Sequence, residues 1–125
     1  MKHLLLIGSG GFIGAVLRYL AAGWVHRLVK ISWFPVGTLG VNVTGCFVIG
    51  LLGGLADNLK VFTPEIRMFL LIGILGSYTT FSTFGYETLA LLRDNQIGYA
   101  LINITAHIIL GLFAVWLGYA ISTLR

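Results

Sequence analysis

Four long apolar stretches, separated by short polar connections, set the pattern of this chain. They run from about Leu4 to Val25, Phe34 to Ala56, Ile66 to Leu92 and Ile97 to Thr123. A helix needs roughly 20 apolar residues to cross the hydrocarbon of a bilayer, and each stretch is that long. The connections, His26 to Trp33, Asp57 to Glu65 and Arg93 to Gln96, hold most of the charges. The apolar runs are continuous, without the alternation of a barrel strand, and backbone exposed to lipid must bond within its own segment. The pattern predicts an all-α membrane protein, one domain over residues 1–125 with four transmembrane helices. Met1, Lys2 and Leu4 to Ile7 have the look of a signal peptide. However, Gly8 to Gly11 and Arg18 interrupt the run and no small-residue cleavage site follows, so this segment reads as a retained first span.

Composition sharpens this picture. The 125 residues are 58% hydrophobic and only 10% charged, with a mean hydropathy of +0.96. A soluble domain of this size leaves much of its surface in water and cannot hide so much apolar area. A soluble enzyme is therefore excluded. The net charge of +4 is spread over eight Lys and Arg with no run of three, so nucleic acid is not an expected partner. Cys46 is the single cysteine and lies inside an apolar run, which makes it a small core residue rather than half of a disulfide or a metal site.

Charge also bears on orientation. With four spans, Lys2, Lys60, Arg67 and Arg125 fall on one side and Arg27, Lys30 and Arg93 on the other. Orientation follows the asymmetry of such residues, and here it is almost absent. Either other factors fix the orientation, or the protein inserts both ways and pairs as an antiparallel dimer, with the in-plane two-fold symmetry of inverted repeats.

Polar residues inside the spans carry the candidate chemistry, because burying them in lipid is costly. Leu4 to Gly14 imitates a dinucleotide loop, but Ile13 stands where the third glycine belongs. Arg18 either snorkels to an interface or lines a water-filled vestibule that attracts anions. Asn42, with Thr38 a turn before and Cys46 a turn after, offers a neutral amide donor suited to a dehydrated anion, or an ordinary interhelical hydrogen bond. Gly73 to Phe84 reads G-I-L-G-S-Y-T-T-F-S-T-F. This cluster of Gly, Ser and Thr at mid-membrane depth favours a helix break, tolerated only where protein or a cavity covers it. Phe81 and Phe84 share a face at i, i+3 spacing, and a ring edge is electropositive. Glu87 follows as an interfacial or vestibule acid. In the fourth span Asn103, His107 and Gly111 follow at i, i+4 spacing, as a polar track or as packing against a partner helix. Gly10/Gly14 and Gly50/Gly54 are small-residue pairs that let helices approach closely. Spans one, two and four have no acid near their middle. There is no phosphate loop, nucleophile–base pair or His/Cys metal cluster in the sequence.

Three ordered motifs, Gly10 to Tyr19 (G-G-F-I-G-A-V-L-R-Y), Gly37 to Phe47 (G-T-L-G-V-N-V-T-G-C-F) and Gly76 to Phe84 (G-S-Y-T-T-F-S-T-F), resemble the signatures of the Fluc (CrcB) fluoride channels. Length and span number match as well, so the resemblance covers the whole chain. It implies a passive, fluoride-selective channel of the cell (inner) membrane that lowers toxic intracellular fluoride. It further implies an antiparallel dual-topology homodimer with two pores. On this resemblance Asn42, Phe81 and Phe84 line the fluoride pathway, with hydroxyls from Thr80, Ser82 and Thr83. Backbone carbonyls of Gly76 and Thr79 hold a structural sodium ion at a break in the third span. Asn103 and His107 join the pathway by spacing alone, and Arg18 and Glu87 stand in the vestibule. Ser77 occupies a position where the family usually has a second glycine, which leaves the backbone there less free. The competing expectation is a small dual-topology multidrug-type exporter driven by protons, whose first helix carries an embedded acid that this first span lacks. A purely structural subunit is the third.

Overall fold

The structure, a computed structural model, describes residues 1–59 and 62–124. It is all-helical, with no strand among the described residues. Helix α1 spans Lys2–Val29, α2 Val36–Leu59 and α3 Pro64–Arg67; a π-helical segment follows at Met68–Leu75, then α4 at Gly76–Tyr78, α5 at Phe81–Arg93 and α6 at Ile97–Thr123. Four stretches are long and apolar enough to cross a membrane: Lys2–Val29, Val36–Asn58, Pro64–Arg93 and Ile97–Thr123. The helices overrun the apolar stretches by a few residues. Hydropathy marks the thickness of the hydrocarbon, whereas backbone hydrogen bonding continues until a residue stops it. Lys30 stops α1 by turning left-handed (φ 54°) and returning its N–H to the His26 carbonyl. Thr63 opens α3 by accepting the Ile66 N–H at 3.4 Å, with Pro64 in the first turn, where its missing N–H is harmless. Lys60 and Arg125, which enter the charge balance, lie outside the described residues.

The bundle is tied most closely between α2 and α6, and between α1 and the π-helical segment. Both contacts run on backbone. A methyl group added at Gly10 would lie 2.6 Å from the Phe69 carbonyl oxygen, and one at Gly14 would overlap the backbone of Ile74. Across the other contact Gly50 faces the Val115 carbonyl and Gly118 the Phe47 carbonyl. Lipid tails are as apolar as leucine, so close backbone approach, rather than hydrophobic burial, holds such helices together. The Gly10/Gly14 and Gly50/Gly54 pairs thus serve as packing surfaces, Gly54 resting on Ser122. Gly14→Ala should lower stability by about 1–3 kcal/mol, because it forces α1 off the third span. Thermal unfolding in detergent reads this directly. Gly8→Ala, where a methyl group meets nothing within 4 Å, should leave the midpoint unchanged or slightly raised.

Candidate functional site

The site centres on two residues of extended backbone in the third span. Helix α4 ends at Tyr78; Thr79 (φ −83°, ψ 158°) and Thr80 (φ −151°, ψ 116°) are extended, and α5 opens at Phe81. Extended residues in the middle of a span need new hydrogen-bond partners. Asn42 of α2 supplies them. Its Oδ1 accepts the Thr80 N–H at 2.8 Å, and its Nδ2 donates to the Thr80 carbonyl at 3.0 Å. Thr80 then caps α5: its Oγ1 accepts the Thr83 N–H at 3.2 Å and donates to the Thr83 hydroxyl at 3.0 Å. The Ser82 hydroxyl lies 3.2 Å from the same oxygen.

The extended residues leave carbonyls at the end of α4 without helical partners, those of Gly76 and Thr79 among them. In a continuous α-helix the N–H of Thr80 would close on the Gly76 carbonyl, and that of Thr83 on the Thr79 carbonyl. Here the first N–H goes to Asn42 and the second to Thr80 Oγ1. Gly76 is exposed and Thr79 half-buried in the single chain.

An aromatic row follows. The ring centroids of Phe81 and Phe84 lie 5.4 Å apart, and that of His107 lies 4.4 Å from Phe84. Phe81 is 82% exposed. His107 Nδ1 lies 2.9 Å from the Asn103 carbonyl oxygen, while Nε2 is covered and has no partner among the described residues. Asn103 itself is fully buried. Its Nδ2 donates to the Thr88 hydroxyl at 3.0 Å, and that hydroxyl donates to the Phe84 carbonyl at 2.7 Å.

Two clefts meet at Thr80. A groove of about 830 Å³ is walled by Asn42, Thr79, Thr80, Phe81, Phe84 and His107, among others. A cavity of about 400 Å³ is lined by Arg18, Arg27, Thr38, Thr80 and Thr83, among others. A third, of about 380 Å³, shares Thr38 and includes Glu87. Thr38 donates to Glu87 Oε1 at 2.7 Å, while Oε2 is covered and without a partner among the described residues.

The structure brings Asn42, Thr80, Phe81, Phe84 and His107 to the wall of one groove. It separates others. Asn103 and His107 share a helix face, yet Asn103 turns into the α5 contact and only His107 reaches the groove wall. Gly111, the third member of that stripe, is buried beside Cys46. Arg18 and Glu87 line different cavities, with Thr38 as their common wall. Arg27 joins Arg18 although the sequence placed it in a connection. The signal lay in how far α1 continues, which hydropathy does not report. The hydroxyls of Thr44 and Tyr78, 2.9 Å apart, form a further α2 link that spacing could not reveal.

Fold and site together define a small multi-pass membrane protein whose polar groups line clefts between its spans, the class that contains channels and transporters. The chain belongs to the CrcB family: the model described as "CrcB-like protein, Camphor Resistance (CrcB)" matches residues 5–119. Its relatives include "Fluoride-specific ion channel FluC 1" of Methanosarcina acetivorans, 47% identical over 94% of this chain and 88% of that protein. "Fluoride-specific ion channel FluC" of Methylobacillus flagellatus is 42% identical over 95% of this chain and 93% of that one. The protein of the same name from Campylobacter jejuni is 46% identical over 97% and 98%. This is a family of ion channels, not of enzymes.

Proposed function

We propose that this protein is a passive fluoride-selective channel that lets fluoride leave the cell. The observation that carries the reading is the meeting of two clefts at Thr80, one with two guanidinium groups and the other with an amide and two phenyl rings, in a chain whose relatives bear fluoride-channel names. Arg18 raises the local anion concentration in the first cleft. The hydroxyls of Thr80, Ser82 and Thr83 and the second N–H of the Asn42 amide replace water around the ion. The ring edges of Phe81 and Phe84 then offer weak positive potential, enough to hold an anion without trapping it.

The same reading includes an antiparallel pair of chains in the cell membrane, with the exposed Phe81 face and Gly76 near their contact. The extended residues Thr79 and Thr80 are the helix break of that assembly. A structural sodium ion is compatible with this site, because the carbonyls of Gly76 and Thr79 are among those whose helical partners are lost at the extended residues. The two residues would hold the ion, and a second copy would supply the same pair. Such an ion supplies fixed positive charge, which ties the broken segments together.

Liposomes loaded with fluoride or with chloride test the function. Reconstituted protein should release fluoride at least about a hundredfold faster, a difference of about 2.7 kcal/mol in barrier. Equal release of both anions sinks the proposal, and proton-driven cation uptake would favour an exporter instead.

A further inference from the structure

We propose that the Tyr78 hydroxyl is a positioning group for the ion pathway, a latch that holds the break in the third span to α2 on the flank opposite Asn42. The inference rests on the fluoride-channel reading above and adds to it a residue outside the pathway. Helix α4 has only three residues, Gly76–Tyr78, set between the π-helical segment and the extended residues. A piece so short makes too few hydrogen bonds of its own to fix its place. Contacts from other helices decide it, and with it the placement of Gly76 and Thr79.

Three contacts with α2 meet at the break: Asn42 with Thr80, Gly45 with Thr79, and Thr44 with Tyr78. Around a helix Gly45 lies between the other two, about 60° from Asn42 and about 100° from Thr44. Gly45 is buried and faces the break. A methyl group there would overlap the Thr79 methyl group and come within 3.3 Å of the Tyr78 ring. Gly45 is thus the notch that seats Thr79, and the hydrogen bonds on its two flanks resist rotation. The Thr44 hydroxyl lies 2.8 Å from the Gly40 carbonyl and 3.0 Å from the Val41 carbonyl, and both can only accept. Its one hydrogen goes there, so Tyr78 donates to Thr44 at 2.9 Å. Thr79 is still tied to the preceding turn, since its N–H and its hydroxyl both reach the Leu75 carbonyl at 3.1 Å. Beyond it the backbone of Thr80 bonds to Asn42 instead. Tyr78 therefore anchors the last turn before the break, and Asn42 the residue that ends it. Without the Tyr78 bond α4 is free to turn, and it displaces Thr80 and Phe81, which follow it in the chain.

Tyr78→Phe tests this, because it keeps the ring and removes only the bond. An ordinary net hydrogen bond corresponds to about a two- to tenfold change in an equilibrium. Fluoride efflux per folded channel, measured well below the unfolding midpoint, should fall by about that factor, and the ratio of fluoride to chloride release should fall with it. Deuterium uptake by residues 76–84 should quicken by the same factor while uptake by α6 stays unchanged. Thr44→Val should reproduce both effects, and Thr44→Ser, which keeps the acceptor, should behave as wild type. Tyr78→Phe combined with Thr44→Val should be no worse than either alone. Wild-type efflux per folded channel in Tyr78→Phe overturns the proposal, because a merely structural bond changes only the amount of folded protein. Additive losses in the double variant, or unchanged deuterium uptake, also overturn it. A wild type that releases fluoride no faster than chloride ends the channel reading, while deuterium uptake and the double variant still report on the latch.

Discussion

Replacing Phe81 or Phe84 with Ile should cut fluoride flux at least about tenfold while leaving the protein folded. Isoleucine keeps an apolar body of moderate size but removes the ring, and with it the positive edge. An edge interaction of about 1–1.5 kcal/mol corresponds to roughly tenfold in rate. Phe81 is the cleaner of the two positions. It is 82% exposed in the single chain, so its replacement disturbs little packing within that chain. The Phe84 ring also packs against His107, tilted by 45° with centroids 4.4 Å apart, so Phe84→Ile should lose some stability as well as flux. The measurement is initial efflux per reconstituted protein, beside an unfolding midpoint for each variant. Unchanged flux in Phe81→Ile removes the rings from the pathway, since neither folding nor expression then obscures the result.

The second large effect belongs to Asn42. Its amide supplies both backbone partners of Thr80, so Asn42→Ala leaves an N–H and a carbonyl unpaired in the middle of a span. An unsatisfied buried polar group costs about 1–3 kcal/mol. The variant should therefore be destabilised by about 2–4 kcal/mol and lose its flux. That result alone does not separate scaffold from pathway. Asn42→Asp does: its carboxylate still accepts the Thr80 N–H but cannot donate to the carbonyl, and it sets a negative charge in the groove. It should unfold closer to the wild type than Asn42→Ala, yet conduct fluoride at least about tenfold more slowly, from like-charge repulsion. Wild-type conduction by Asn42→Asp would falsify the groove as the anion route.

Asn42 also marks the boundary between sequence and tertiary structure. The sequence by itself determined four membrane spans, because lipid imposes one length and one polarity on any helix that crosses it. It determined the family through three ordered motifs, and it singled out the run of hydroxyl residues between Gly76 and Phe84. It also isolated the polar residues of the second and fourth spans, since polar groups in an apolar run are rare enough to stand out. What it left open was their partners. Asn42 read equally as an ion ligand or an interhelical hydrogen bond, because one amide serves both uses and spacing along a helix says nothing about the helix opposite. Only the packing of α2 against the extended residues engages that amide with Thr80 and diverts two N–H groups from Gly76 and Thr79. Asn103 and His107 looked alike on the same face, yet α5 claims Asn103 through Thr88 and leaves His107 to the groove. Arg27 entered the cavity because α1 continues to Val29, a stop set by the left-handed turn at Lys30 and not by hydropathy. Periodicity gives the face on which a residue lies; which groups meet there, and which are left unpaired, is decided by how the helices pack.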